Sequence, residues 1–138
     1  FRFAQFAPHR GFVTVLYQNS VNPESPLSPF HEASRQLRED SIAAFGELLT
    51  DATERFPNEL APHMPYLFWL YHMGLLLFWL FDDSDDQRAT RRLMDLSLDT
   101  IFQLINLARL PLTGTLRKSA LRILEEFHLL PGPAAAPR

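Results

Sequence analysis

Hydrophobic residues are most concentrated between Pro65 and Phe81, where the sequence reads PYLFWLYHMGLLLFWLF. Only His72, Gly74 and two tyrosine hydroxyls interrupt this run. A helix at the surface of a small domain normally combines an apolar stripe with a solvated face, and this segment has no such face. The pattern therefore predicts a helix that is covered on nearly every side.

Two surroundings could cover this helix: a lipid bilayer, or a protein core completed by a second subunit. A helix of this length spans roughly 25 Å, which is less than the roughly 30 Å of a bilayer's hydrocarbon core. The run also contains His72 and is followed directly by the acidic sequence DDSDD at residues 82–86. We favour the protein core, and membrane association through residues 64–81 is the weaker alternative.

The rest of the chain also carries helical periodicity, without an alternating segment long enough for a convincing strand. Helices are predicted at about residues 1–7 (the end of a helix), 12–19, 31–53, 85–109 and 116–127. Three prolines make residues 21–30 a loop. The pattern indicates an all-α helical bundle of about five to six helices. Residues 1–130 would form one domain, and the tail PGPAAAPR, residues 131–138, is expected to be disordered.

The helix predicted from Asp85 to Arg109 has surplus apolar surface. Its strongly polar positions share one narrow stripe, and they are Arg88, Arg92, Asp95, Asp99, Gln103 and Asn106. Nearly every other position is apolar or small, which is more than a single layer of one subunit can bury. We therefore expect a homodimer. At the start of this helix, Ser84 followed by Gln87 predicts a capping box.

Composition places limits on function. The chain has 138 residues, 46% of them hydrophobic, and a net charge of -3, which suits one globular domain and gives no basic field for nucleic acid. It contains no cysteine, so disulfides, cysteine-ligated zinc and thiol catalysis are excluded, and we expect a cytoplasmic location. The apolar pattern already begins at Phe1 without a capping residue ahead of it, and we interpret the chain as a fragment.

Sequence patterns of catalytic and metal sites are scarce. The chain has no G-x-S-x-G, P-loop or G-x-G-x-x-G pattern and no pair of histidines at metal-ligand spacing. A calcium loop beginning at Asp82 would need glutamate at its twelfth position, where Leu93 stands. A single Glu-x-x-His pattern, Glu125 to His128, falls short of the two that a di-iron bundle needs. We expect no enzyme activity, no cofactor and no metal.

Over about residues 10–110, the chain resembles the C-terminal ligand-binding and dimerisation domain of the TetR family of bacterial transcriptional repressors. The resemblance lies in the proline-rich NPESPLSPF, in a long helix containing REDSIAAFGELL, and in the segments RFPNELAPHMPYLFWLYHMGLLLFWLFDDS and QRATRRLMDLSLDTIFQLI. It implies a homodimeric regulatory domain that senses a small, largely apolar effector. The dimer would form a four-helix bundle from residues 62–81 and 85–109, with the helix after Pro111 as an addition.

The family's helix-turn-helix is not contained in these residues, so DNA binding is implied only through an N-terminal domain of a parent protein. Effector binding would then change the spacing of two DNA-binding heads, which requires the effector to prefer one of two domain arrangements. The alternative from a different class is a helical dimerisation or interaction domain without a ligand. A closed apolar cavity would distinguish the two hypotheses.

The predicted central helix has two sides when its residues are placed at 100° intervals. Gly74 would let another helix approach closely, so we assign its side to the dimer and the side of His72 to the interior. The predicted ligand-binding residues are Tyr17, Phe45, Phe68, Trp69, His72, Met73, Leu76 and Trp79. The predicted dimer interface consists of Leu67, Tyr71, Gly74, Phe78, Phe81, Met94, Leu98, Ile101, Phe102 and Ile105. An ordinary aromatic core is the alternative to a pocket, and His72 could equally donate to a buried carbonyl.

Overall fold

The computed structural model describes residues 9–20, 22, 24–51 and 56–126. Within these ranges the chain forms five α-helices: α1 (Arg10–Ser20), α2 (Arg35–Leu49), α3 (Met64–Leu80), α4 (Arg88–Ala108) and α5 (Gly114–Glu126). Short 3-10 turns precede four of them, at Glu32–Ser34, Ala61–His63, Asp85–Gln87 and Pro111–Thr113. The described ranges contain no strand, and the predicted all-α class is confirmed. The predictions for residues 1–7 and 131–138, and for His128, lie outside the described residues.

The helix predicted from the apolar run, α3, is the element on which the other helices pack. It contacts α1, α2 and α4, and its buried residues are Met64, Phe68, Trp69, Leu75, Trp79 and Leu80. Pro65 lies in its first turn, where a missing N–H costs no helical hydrogen bond. Phe56 and Ile105 join Met64 and Phe68 in one buried cluster. Among the described residues, no helix is both long and apolar enough to cross a membrane.

Helix α2 is shorter than the helix predicted at residues 31–53. The Nδ1 atom of His31 accepts a hydrogen bond from the Ala33 N–H at 3.1 Å and opens a 3-10 turn, so that α2 begins only at Arg35. Of its apolar residues, Phe45 packs against the buried cluster, whereas Leu37 and Leu48 are 71% and 76% exposed. One face of α2 therefore retains apolar surface beside α3.

A buried carboxylate organises the turn between α3 and α4. Asp82 is 5% exposed. One of its oxygens accepts from the N–H and hydroxyl of Ser84 at 2.9 and 2.6 Å, and the other accepts from the N–H and hydroxyl of Thr90 at 2.8 and 2.6 Å. Burial alone would raise the pKa of this carboxyl, but the four hydrogen bonds outweigh burial and hold the pKa far below its usual range. Asp82 therefore stays ionised and caps α4.

The predicted capping box of Ser84 and Gln87 is wrong. The Ser84 hydroxyl oxygen accepts from the Ala89 N–H at 2.9 Å, and it makes no capping bond within the turn that follows it. Gln87 and Asp86 both adopt left-handed conformations, with φ of 51° and 53°. A helix cannot continue through two such residues, so α4 starts at Arg88, later than predicted.

Two side chains fasten α1 to α3. One guanidinium nitrogen of Arg10 donates to the carbonyls of Trp79, Leu80 and Asp82 at 3.2, 3.1 and 2.6 Å. These carbonyls lie at the end of α3, where helical partners run out. Further along α1, the Tyr17 hydroxyl donates to a carbonyl in the middle of α3 at 2.9 Å. Helix α1 therefore runs antiparallel to the second half of α3.

Arg117 on α5 holds the other end of α4. Its guanidinium donates to the carbonyl of Ala108, the last residue of α4, and to that of Leu110, which follows the helix. The same side chain lies 3.5 Å from a carboxylate oxygen of Glu59. Helix α5 is thus joined both to α4 and to the turn that leads into α3.

Candidate functional site

Two adjoining cavities lie on the side of α3 that faces α1 and α2. The first, of about 200 Å³, is lined by α1, the loop at residues 27–34, α2 and α3. The second, of about 370 Å³, lies between α2 and α3. Ser41, Trp69 and Met73 line both, so the cavities are immediate neighbours. We refer to them together as the α1/α2-side cavities.

Six of the eight predicted ligand-binding residues surround these cavities. Tyr17 and Leu76 line the first, Phe45 and His72 line the second, and Trp69 and Met73 belong to both. The other two predicted residues lie elsewhere. Phe68 faces α4, with its ring 6.4 Å from that of Phe102, and Trp79 is fully buried beneath the Arg10 guanidinium. The assignment of a ligand role to any of the eight remains a prediction.

The titratable groups Tyr17 and His72 are neutral at neutral pH. Burial lowers the pKa of His72, whose ring centroid lies 5.7 Å from that of Phe45. Burial also raises the pKa of the Tyr17 phenol, which already donates to the Met73 carbonyl. These side chains therefore offer the cavities uncharged polar atoms at the ends of aromatic rings.

A groove of about 310 Å³ lies on the opposite side of α3, between α3 and α4. Its lining is apolar or aromatic and includes Met64, Leu67, Phe68, Tyr71, Ile101 and Leu104. The Tyr71 hydroxyl is 2.7 Å from the Ser97 hydroxyl oxygen and links the two helices. We refer to this feature as the α3/α4 groove.

The predicted dimer residues are distributed around this groove and beyond it. Leu67, Tyr71, Ile101 and Ile105 line it, and Met94 and Leu98 are half-buried on α4. Phe78, Phe81 and Phe102 are 42%, 62% and 39% exposed. Gly74 is exposed, with open space where a Cβ would lie. Ile105, at 7% exposure, already belongs to the core of the chain itself. The dimer interface stays a prediction.

The described ranges contain no group of three or more His, Cys, Asp or Glu side chains placed to hold a metal ion. The side chains that face the cavities suit binding through apolar contact and a few hydrogen bonds.

Residues 2–120 match the family model described as the tetracyclin repressor-like, C-terminal domain. The chain belongs to this family. The match confirms the resemblance and extends beyond the predicted range of 10–110. It reaches into α5, so the first half of that helix is part of the TetR-like pattern and not an addition. No curated protein gives a significant match to the chain.

TetR-like C-terminal domains are regulatory and not catalytic, and this chain is accordingly a module of transcription regulation. Sequence reasoning missed three polar residues that shape its structure: Arg10, Arg38 and Asp82. Asp82 had a signal, since it is the first carboxylate after the apolar run. The roles of Arg10 and Arg38 depend on carbonyls contributed by other segments, which no local pattern reveals.

Proposed function

We propose that this TetR-like domain binds a small, largely apolar effector in the α1/α2-side cavities and dimerises through the α3/α4 side. The division of α3 into these two sides is the observation that carries the proposal. Effector binding would then act on the DNA-binding part of a regulator by favouring one arrangement of the two subunits.

Support for the effector site comes from the concentration of aromatic and polar atoms on one side of α3. Trp69 and Met73 provide apolar walls to both cavities, and His72 and Tyr17 place polar atoms at their edges. Ligand sites in proteins commonly combine such apolar walls with a few polar groups that fix orientation. The domain could therefore hold a small molecule with an apolar body and one polar end.

Support for the dimer comes from apolar surface that one chain leaves uncovered. Leu104 and Leu107 on α4 are 58% and 50% exposed, and Phe81 at the end of α3 is 62% exposed. Apolar surface is thus exposed near both ends of α4, and exposed apolar patches mark interaction surfaces on proteins. A second copy would cover both the patch and the groove, with the same residues on each side of a two-fold axis.

The effector site is tested with 1-octanol, a ligand with an apolar chain and one hydroxyl. We expect 1-octanol to raise the melting temperature of the wild type, because a ligand that binds only the folded state stabilises it by about 2.7 kcal/mol at a hundred times its dissociation constant. The variant His72→Phe keeps an aromatic ring but loses its hydrogen bonds, so it should show a smaller rise while remaining a dimer. His63→Phe, the same change outside the cavities, is the matched control.

The dimer is tested by light scattering after size exclusion, without detergent. The expected mass is about twice the 15.9 kDa of one chain. A folded monomer at micromolar concentration would contradict the dimer, and the absence of any stabilisation by 1-octanol and by other ligands with the same eight-carbon chain would contradict the effector site. Loss of dimerisation in His72→Phe with unchanged ligand binding would show that the two sides of α3 are assigned the wrong way round.

A further inference from the structure

Arg38 introduces a positive charge into the α1/α2-side cavities. It lies on α2, is half-buried, and lines the first cavity together with Trp69 and Met73. The described lining of the two cavities includes no aspartate or glutamate. Because His72 is neutral at neutral pH, the Arg38 guanidinium is the charge that a ligand in these cavities would meet.

The Arg38 guanidinium has hydrogen-bond donors to spare. Its Nη1 donates to the carbonyls of Pro29 and His31 at 2.7 and 3.3 Å. An arginine carries five N–H donors, so those on Nε and Nη2 have no acceptor among the residues that the structure describes. No described carboxylate lies within ion-pair distance of Arg38.

Arg35, one turn earlier on the same helix, shows the ordinary arrangement for comparison. Its guanidinium pairs with Glu32 at 3.2 Å and with Glu39 at 2.9 Å, and its side chain is 54% exposed. Arg38 is more buried than Arg35 but has no such carboxylate partner in the part of the chain that the structure describes. On α2, the exposed Arg35 is therefore paired with carboxylates, whereas Arg38 in the cavity has no described ion pair.

A cation that is partly withdrawn from water without an opposite charge raises the free energy of the folded state. An anion that enters the cavity would remove this cost, and a carboxylate could take two N–H donors of a guanidinium at once. Trp69 and Met73 would meanwhile cover an apolar chain attached to the anion. We infer that the effector is an amphipathic anion, with its charged head on Arg38 and its apolar chain along α3. This inference rests on the proposed function.

The size of the cavities indicates the length of the chain. The first cavity, at about 200 Å³, is smaller than the roughly 300–1,000 Å³ of sites for drug-sized ligands. The neighbouring cavity gives additional room beyond Trp69. A single alkyl chain of medium length, such as that of octanoate, is small enough for this space.

The test compares three probes that share an eight-carbon chain: octanoate, 1-octanol and octylammonium. Dissociation constants are measured by calorimetry at neutral pH on the wild type, on Arg38→Gln and on Arg38→Lys. We expect the wild type to bind octanoate at least tenfold more tightly than 1-octanol and to bind octylammonium most weakly. In Arg38→Gln the constants for octanoate and 1-octanol should converge, whereas Arg38→Lys, which keeps the charge, should retain part of the preference.

Arg35→Gln is the matched control, since it removes an equal charge from the same helix outside the cavities. It should leave the octanoate preference within about twofold of the wild type, because exposed charges are screened by salt. Equal binding of octanoate and 1-octanol to the wild type, or a preference for octylammonium, would overturn the anionic effector and leave the proposed function standing. Failure of all three probes to bind would overturn both. An unchanged octanoate preference in folded Arg38→Gln would show that another group selects the anion.

Discussion

The two sides of α3 are equally hydrophobic in sequence but are covered in different ways. Towards α1 and α2, side chains bind the backbone of α3 directly, as Tyr17 does at the Met73 carbonyl and Arg10 at the Trp79 carbonyl. Towards α4, the helices meet along a groove, and the described polar contacts between them all involve the Tyr71 hydroxyl, which is 2.7 Å from the Ser97 hydroxyl and 3.4 Å from the Met94 carbonyl. A helix without a polar face can thus support two functions. One side carries two cavities lined by three helices and a loop of the chain, and the other leaves apolar surface that suits a protein partner.

If packing between α3 and α4 is weak, the polar turn that joins them should contribute most to the stability of this helix pair. The variant Asp82→Ala tests this expectation. The change removes the acceptor of four hydrogen bonds, and we expect the free energy of unfolding to fall by about 3 kcal/mol. Because the folded pKa of Asp82 lies below its ordinary 3.8, this contribution should be present at neutral pH and be lost as the pH falls below that value. Urea denaturation at fixed protein concentration measures both effects.

Asp83→Ala is the control for this experiment. Its side chain is 98% exposed, 3.7 Å from Arg10, and its removal should change stability by no more than about 0.5 kcal/mol. If Asp82→Ala costs no more than Asp83→Ala, packing alone holds α4 in place, and the contrast between the two sides of α3 is smaller than described above.

The next largest expected effect is on self-association through the α4 side of α3. Leu104→Glu places a charge in the α3/α4 groove, at a residue that is 58% exposed and therefore tolerable within one chain. We expect self-association to weaken at least tenfold, or by about 1.4 kcal/mol, as measured by sedimentation equilibrium. Val15→Glu, an equally exposed apolar site on α1 at 57%, should leave the association constant unchanged. Equal weakening by both variants would place the interface elsewhere.

A smaller effect concerns the α1/α2 side. Burial lowers the pKa of His72 below its ordinary 6.5, so the unfolded chain binds a proton more readily than the folded one. The free energy of unfolding should therefore decrease as the pH falls from above 6.5 through the folded pKa. His72→Phe removes this dependence, and its pH slope between about pH 8 and pH 5 should be shallower than that of the wild type. Parallel slopes would mean that the His72 ring is accessible to water in solution.

The smallest expected effect on stability concerns the turn between α3 and α4. Gln87 holds a left-handed conformation with φ of 51°, which costs a residue other than glycine about 1 kcal/mol. Gln87→Gly should stabilise the protein by about 0.5 kcal/mol after the greater entropy of glycine in the unfolded chain is included. Asp86→Gly relieves the same strain but loses the 2.7 Å ion pair with Arg91, and it should bring no gain. Destabilisation by Gln87→Gly would contradict the left-handed turn.

The sequence predicted the helices well because their signal is local. Seventeen consecutive residues without a polar face identified α3, and the residues of the polar stripe predicted for α4 are all exposed. The side of α3 predicted to bind the ligand carries His72, Trp69 and Met73, and all three line the cavities together with Phe45. Phe68 and Trp79 lie apart from them, because the neighbours that cover each face of a helix come from other parts of the chain.

The errors in the predicted helices were at their ends. Ser84 and Gln87 have the spacing of a capping box, yet Asp82 and Thr90 supply the closing contact across eight residues. Spacing rules describe contacts within one turn of helix and do not include a buried acceptor that precedes it. Arg38 was overlooked for a similar reason, since its contacts with the 29–31 segment depend on how that loop returns to α2.

Helix α4 is closed at both ends by side chains from outside it. The amide hydrogens of Ala89 and Thr90 are bonded to Ser84 and Asp82, and the carbonyl of Ala108 at the far end accepts from Arg117. The first amides of a helix usually exchange with solvent rapidly because they have no acceptor within the helix. Here they are held, so α4 cannot unwind stepwise from its first turn. Its amides should exchange with deuterium together, at the rate at which the whole helix separates from the domain.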